Sequence, residues 1–317
     1  MQFEQPLNSK SYIINSIFLK ESHTYSERFK LKDFPYLLLD TYAAWSKARP
    51  WRLSAVVAYY AVLSLPALLV IIINAVGAIW GVDIVQGRLT NEFAIALGPN
   101  AAQTIESIIQ DTQSTDKNLI STIIGIATLL FGATGVFYQL KISLNEIWRI
   151  EGSPGFDFWK LVTERAKSFA FILVIGFLLL ISFMVTAAIA ALNDYLKSLI
   201  TEVAVYLAYT IDIFSSIAII TVMFALMFKF LPDAKIKWRA VWFGAFITAV
   251  LFVIGKFLLG LYFGEANPGS TYGAAGTIVL VLLWVSYSCL ILFFGAQFTY
   301  VYAKAYNILF VPYSELK

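Results

Sequence analysis

Apolar positions run along this chain in six long, nearly unbroken stretches, at residues 54–80, 119–140, 168–192, 203–231, 240–263 and 273–301. A helix needs about 20 apolar residues to cross about 30 Å of hydrocarbon, and each stretch meets that length. All are far longer than the alternating segments, roughly ten residues each, of a membrane barrel, so helix is the element predicted. The pattern predicts an all-α integral membrane protein with one six-helix domain over 54–302. An amphipathic segment, 1–53, precedes the domain, and a tail, 303–317, follows it.

Two further segments carry helical periodicity without spanning length. Residues 29–51 interleave Leu37, Leu38, Leu39, Tyr42 and Trp45 with Lys30, Lys32, Lys47 and Arg49. Such a basic, amphipathic stretch suits an anionic inner leaflet, and it equally suits an ordinary surface helix packed on the bundle. In 83–118, Ile105, Ile108 and Ile109 sit among Gln103, Glu106 and Gln110. Apolar residues three and four apart predict a short helix resting on the outer surface, opening after Pro99 and Asn100.

Composition agrees with the pattern: only 14% of the 317 residues are charged, against about 25% in soluble domains. The placement of the charges adds direction. Of the 23 Lys and Arg, nineteen fall in the N-terminal segment, the second-to-third and fourth-to-fifth connections, and the tail. The other connections hold only Arg88, Lys117 and Lys197, and Lys256 lies inside a span. This asymmetry predicts a bacterial cytoplasmic (inner) membrane protein with both termini in the cytoplasm. Trp51, Trp238, Trp242, Tyr300 and Tyr302 fall near inner ends, and Trp80 and Tyr262 near outer ends, as interfacial anchors should. The first 30 residues show no charged region followed by an apolar core, so the first span is expected to act as an uncleaved anchor.

Little catalytic chemistry is on offer. With one histidine, His23, and one cysteine, Cys289, the chain can form no internal disulfide and offers a poor ligand set for zinc or a catalytic transition metal. The acids Glu146, Glu151, Asp157 and Glu164 share no helix face, and Gly152, Pro154 and Gly155 interrupt any helix there. There is no Gly-x-x-x-x-Gly-Lys-Ser/Thr phosphate loop and no Gly-x-Ser-x-Gly elbow. The chain is therefore expected to be no enzyme, to need no cofactor or metal, and to bind no nucleic acid. An intramembrane enzyme is the low-ranked alternative.

Asp212 and Lys256 are the ionisable groups well inside the spans, where charges are costly and usually functional. Each lies 17 residues from a basic residue at an inner end, Lys229 and Arg239 respectively. At about 1.5 Å per residue that places both about 25 Å up, at one height on antiparallel neighbours. Two readings stand: a pair facing the bundle interior, structural or lining a cavity, or two side chains each snorkelling to the outer interface. Asn74, Gln139, Ser286, Ser288 and Gln297 are uncharged polar residues at membrane depth, a setting that mostly gives helix–helix hydrogen bonds worth about 1 kcal/mol or less. Gly260 and Gly264 form a small-xxx-small pattern suited to close helix packing. Gly264–Gly276 reads as an outer loop or a re-entrant turn.

Several motifs occur in a distinctive order: Leu63-Ser64-Leu65 with Pro66, then Leu144-Asn145-Glu146-Ile147-Trp148-Arg149, then Pro232 through Gly244-Ala245-Phe246 to Gly255-Lys256. Tyr272-Gly273-Ala274, Leu283-Trp284-Val285 and Gly295-Ala296-Gln297 complete the series. Together they resemble the YihY/BrkB family of bacterial inner-membrane proteins, over roughly Arg49 to Tyr302. Pro66 follows Leu65 directly where the family places one residue between, and Gln297 stands where the family commonly has a glutamate. The resemblance implies six helices in a bacterial cytoplasmic membrane, lipid or solute export among the proposed activities, and a historical ribonuclease label that the residues above do not support. The functional expectation is a transporter or export factor for a lipid or other amphiphile, with Asp212, Lys256 and Gln297 as candidate ligand-binding or gating residues. The alternative is a non-transporting scaffold or envelope-assembly partner. Membrane lipids are the expected partners, and self-association stays open.

Overall fold

The computed structural model describes residues 29–97, 119–150, 203–266 and 275–312, with isolated helical positions at 102–107 and 163–178. Most of the predicted third span, 168–192, lies outside the described residues, as do 1–28, 108–118 and 267–274.

A short 3-10 turn, Leu31–Asp33, leads into α1 (Phe34–Lys47), α2 (Pro50–Trp80), α3 (Val82–Leu97) and α4 (Leu119–Ile147). After these come α5 (Val203–Phe230), β1 (Ala234–Ile236), α6 (Trp238–Ala266), α7 (Gly276–Ala305) and β2 (Phe310–Pro312). Three helices among the described residues have segments long and apolar enough to cross a membrane, Pro50–Ile73 in α2, Trp238–Phe263 in α6 and Gly276–Ala305 in α7. A shorter apolar helix runs from Phe214 to Phe230.

The helix boundaries follow local chemistry. Arg49 adopts a left-handed φ of 53° and breaks the chain between α1 and α2. Pro50 then opens α2 at the position where its missing N–H has no intrahelical partner to lose. Further along, Pro66 sits inside α2 and removes one backbone hydrogen bond from mid-helix. Gly81, at φ 93°, ends α2 in a conformation that side chains resist, and its N–H reaches the Gly77 carbonyl at 2.8 Å.

α7 is the hub. It packs against α1, α2 and α6, and touches α3 and α4. α4 flanks α2, and α5 flanks α6. We call the end where α2 begins proximal and the other end distal. One large core fills the proximal end, drawing Leu37 from α1, Leu53 and Val57 from α2, and Leu144 from α4. Phe228 of α5, Val241 of α6 and Phe293 and Phe298 of α7 complete its centre.

Two findings depart from the expected pattern. First, ahead of the surface helix predicted after Pro99, most of which lies outside the described residues, runs an unpredicted longer one, α3, which turns at Gly81 and doubles back along α2. Val85 and Leu89 bury against Leu69 and Ile73, and Phe93 packs with Val62, Phe263, Leu280 and Val281. Burial of this apolar stripe outweighs the unfavourable Gly87 in its middle. Second, the all-α reading omits a small antiparallel pairing: Ala234 faces Pro312, Lys235 faces Val311 and Ile236 faces Phe310. Asn307, at φ 50°, turns the chain back after α7 so that this pairing forms. Strands of three residues are too short to show a period.

Candidate functional site

Polar chemistry is concentrated at the two ends of the bundle. At the proximal end the segment Leu144–Arg149 acts as a clamp. Its apolar members Leu144, Ile147 and Trp148 are buried. Asn145 donates through Nδ2 to Asp233 Oδ2 at 2.9 Å and accepts the Asp233 backbone N–H at the same distance. One side chain thereby satisfies both the side chain and the main chain of the turn after α5. Lys141 Nζ lies 3.0 Å from Asp233 Oδ1, and Arg52 of α2 pairs with Glu146. Trp148 Nε1 donates to the Ala296 carbonyl at 2.8 Å in the buried core. Lys229 Nζ donates to the Ile236 carbonyl at 2.6 Å and sits 5.4 Å from the Trp238 ring centre. Tyr306 donates to the buried Asp33 carboxylate at 2.8 Å. Burial, then that bond and the charge of Asp33, raise the pKa of the Tyr306 phenol, so the donor keeps its proton.

α6 and α7 cross by a reciprocal arrangement. A Cβ on Gly244 would overlap Thr299 Oγ1 and come within 2.9 Å of Thr299 Cβ. On Gly295 it would overlap Thr248 Oγ1 and come within 2.7 Å of Thr248 Cβ. Each threonine is fully buried and turns its hydroxyl back onto its own helix, Thr248 to the Gly244 carbonyl and Thr299 to the Gly295 carbonyl. Glycine and threonine four residues apart on both helices thus let the backbones meet without an orphaned hydroxyl. Gly260, read above as a packing glycine, faces open space, with nothing within 4 Å of where a Cβ would be.

The distal end is different. The face of α3 opposite its apolar stripe carries Asp83, Gln86, Gly87, Thr90, Asn91 and Ala94, and with Glu106 these line an open groove of about 500 Å³. That volume lies in the range of small-molecule sites. Among the described residues, no Lys, Arg or His lines it. The signal was available in the sequence as a polar stripe at helical spacing, but Asp83 and Gln86 follow the first span so closely that they read as a connection.

The predicted site residues do not gather in one place. Asp212 lies in α5, and its side chain is outside the described residues. Lys256 is exposed on α6, next to Gly255, which faces Tyr287 and Ile291 of α7. Gln297 is buried in the proximal core of α7 at 3% exposure, beside the Ala296 that receives the Trp148 bond. It is therefore remote from the groove on α3.

Long apolar helices joined by an aromatic-rich proximal core define an α-helical membrane protein. Relatives agree: UPF0761 membrane proteins are similar to this chain, including one of Idiomarina loihiensis, 27% identical over 68% of this chain and 73% of its own length. One of Haemophilus influenzae is 23% identical over 78% of this chain and 87% of its own, and one of Pseudomonas paraeruginosa 30% identical over 62% and 46%. The family model for Virulence factor BrkB matches residues 41–312, and the chain belongs to that family. No solved structure matches it.

Proposed function

We propose that this protein is a translocator or export factor for a lipid or other amphiphile in the bacterial cytoplasmic membrane. In this reading it crosses six times, keeps both ends in the cytoplasm and carries out no enzymatic reaction. Nineteen of 23 Lys and Arg on one side of the predicted spans support the orientation. The observation that carries the function is the polar groove on α3, set against helices that are otherwise apolar. An amphiphile needs a polar site for its head, which the groove supplies. It also needs apolar surface for its chain, which the exposed apolar side chains of the helices supply, Ile84 of α3 among them. Asp212 and Lys256 belong to this proposal as residues of the path between leaflets, and Gln297 as a polar residue at its closed proximal end.

The test is lipid transfer in proteoliposomes, read as loss of fluorescence from a labelled lipid when an impermeant quencher is added outside. Gly87→Trp brings an indole to the groove from a position where nothing lies within 4 Å of the Cβ. Wild-type protein should transfer the lipid and Gly87→Trp should not. No transfer by the wild type above empty vesicles defeats the proposal. The second reading, a non-transporting scaffold or assembly partner, is favoured by the closely packed proximal core, and it expects that negative result.

A further inference from the structure

One face of α1 is fully accounted for. Leu37 and Thr41 are completely buried, Phe34 meets the Phe298 ring at 6.3 Å, and Trp45 meets Phe294 at 6.0 Å. These positions are three, four and four residues apart, a single helical stripe laid along α7. The opposite side is exposed among the described residues, yet it is not polar. Leu39 and Tyr42 are each 60% exposed, Tyr36 is 47% exposed, and Leu31 just before the helix is 82% exposed. Lysines and arginines bracket this apolar strip: Lys30 and Lys32 at one end, Lys47 and Arg49 at the other, all exposed. Asp40 is the exposed acid between them.

We propose that the outward face of α1, with the elbow into α2, is a docking surface for the anionic phospholipid headgroups of the leaflet at the proximal end. Three features select this occupant. The apolar middle and basic ends match a helix lying in the boundary between headgroups and acyl chains. Trp51, Trp238 and Trp242 are all exposed near the proximal starts of α2 and α6, where an interfacial aromatic belt belongs. The cations outnumber Asp40, which favours anionic over zwitterionic lipid. A nucleic acid would gain from the cations and nothing from Leu31, Leu39 and Tyr42, so the apolar strip decides between them. The inference is independent of whether the protein transports anything.

A photo-crosslinking residue at Leu39 tests it in the full-length protein, reconstituted in phosphatidylcholine vesicles with a minority of phosphatidylglycerol. Mass analysis of the adducts should show phosphatidylglycerol enriched several-fold over its share of the bilayer. A crosslinker at Leu258, exposed on α6, should show no enrichment. Lys30→Gln/Lys32→Gln/Lys47→Gln changes only exposed side chains, and should leave lipid as the adduct at Leu39 while bringing the enrichment down to the Leu258 level. Equal labelling of the two lipids at Leu39 overturns the proposal, as does enrichment that survives the triple substitution. Adducts at Leu39 to a second copy or another protein, formed in membranes from producing cells, also overturn it.

Discussion

Four residues decide how closely α6 and α7 approach. Gly244 and Gly295 each leave room for one buried threonine, and each threonine uses its hydroxyl within its own helix. Adding one methyl group at either glycine must push the backbones apart or force the threonine from its rotamer, which costs about 1–3 kcal/mol in a packed core. Gly244→Ala and Gly295→Ala should each lower the thermal midpoint of the detergent-solubilised protein. Thr299→Ala combined with Gly244→Ala should return part of the loss, because it removes the Oγ1 that the new Cβ meets. Gly260→Ala should be neutral or slightly stabilising, since the site is open and alanine favours helix by up to about 1 kcal/mol. A midpoint unchanged by Gly244→Ala would contradict the crossing geometry. Sequence alone marked Gly260 as a packing glycine and gave Gly244 and Gly295 only as members of motifs; the facing helix reverses this, with Gly244 under a threonine and Gly260 under nothing.

At the scale of elements, the turn between α5 and β1 is held chiefly by Asn145 from another helix. Asn145→Ala leaves the Asp233 carboxylate and N–H each short of a partner, and an unmade bond of that kind costs about 1–3 kcal/mol. Asn145→Asp should be worse, because it faces Asp233 with a second carboxylate. Equal stability of both variants and the wild type, measured by denaturation in detergent, would remove the clamp from the account. The motif was visible in the sequence, but its role was not: residues 88 positions apart meet only once the end of α4 reaches the turn after α5.

α3 was hidden for another reason. Val85, Leu89 and Phe93 are a clear helical stripe, yet Gly81 and the polar positions around it read as the end of a span rather than the start of a hairpin. The height argument for Asp212 and Lys256 also belongs to this scale, since α5 and α6 pack as antiparallel neighbours. If the two charges compensate each other, Asp212→Asn and Lys256→Met each lower folded yield and the double substitution recovers much of it. Independent snorkelling gives small losses that add, and the double-mutant cycle distinguishes the two outcomes.

For the whole molecule, the membrane class was legible because long apolar stretches admit few other structures. The direction of insertion rests on the basic residues alone. With Cys289→Ser as background, single cysteines near Lys117, Lys197 and Glu265 should react with an impermeant thiol reagent in intact cells. Cysteines near Lys160 and Lys235 should react only after the membrane is opened. External labelling near Lys160 would invert the topology. The packing order was less legible, because two apolar helices look alike in sequence until their facing side chains are known.

The position of α7 as hub carries a consequence for how the protein is made. α7 is synthesised after α1, α2, α4, α5 and α6, yet Leu37, Leu53, Leu144 and Phe228 share their core with its Phe293 and Phe298. During synthesis the earlier helices must wait in the bilayer without their hub, α2 beside α4 and α5 beside α6, with the indole N–H of Trp148 lacking its acceptor on Ala296. The final turn of α7 and the return of Phe310 against Trp148 and Tyr300 then close the proximal core in one late event. A ribosome stalled before α7 therefore leaves a set of helices in the membrane rather than a smaller folded protein, and quality-control proteases meet that unassembled state each time synthesis is interrupted.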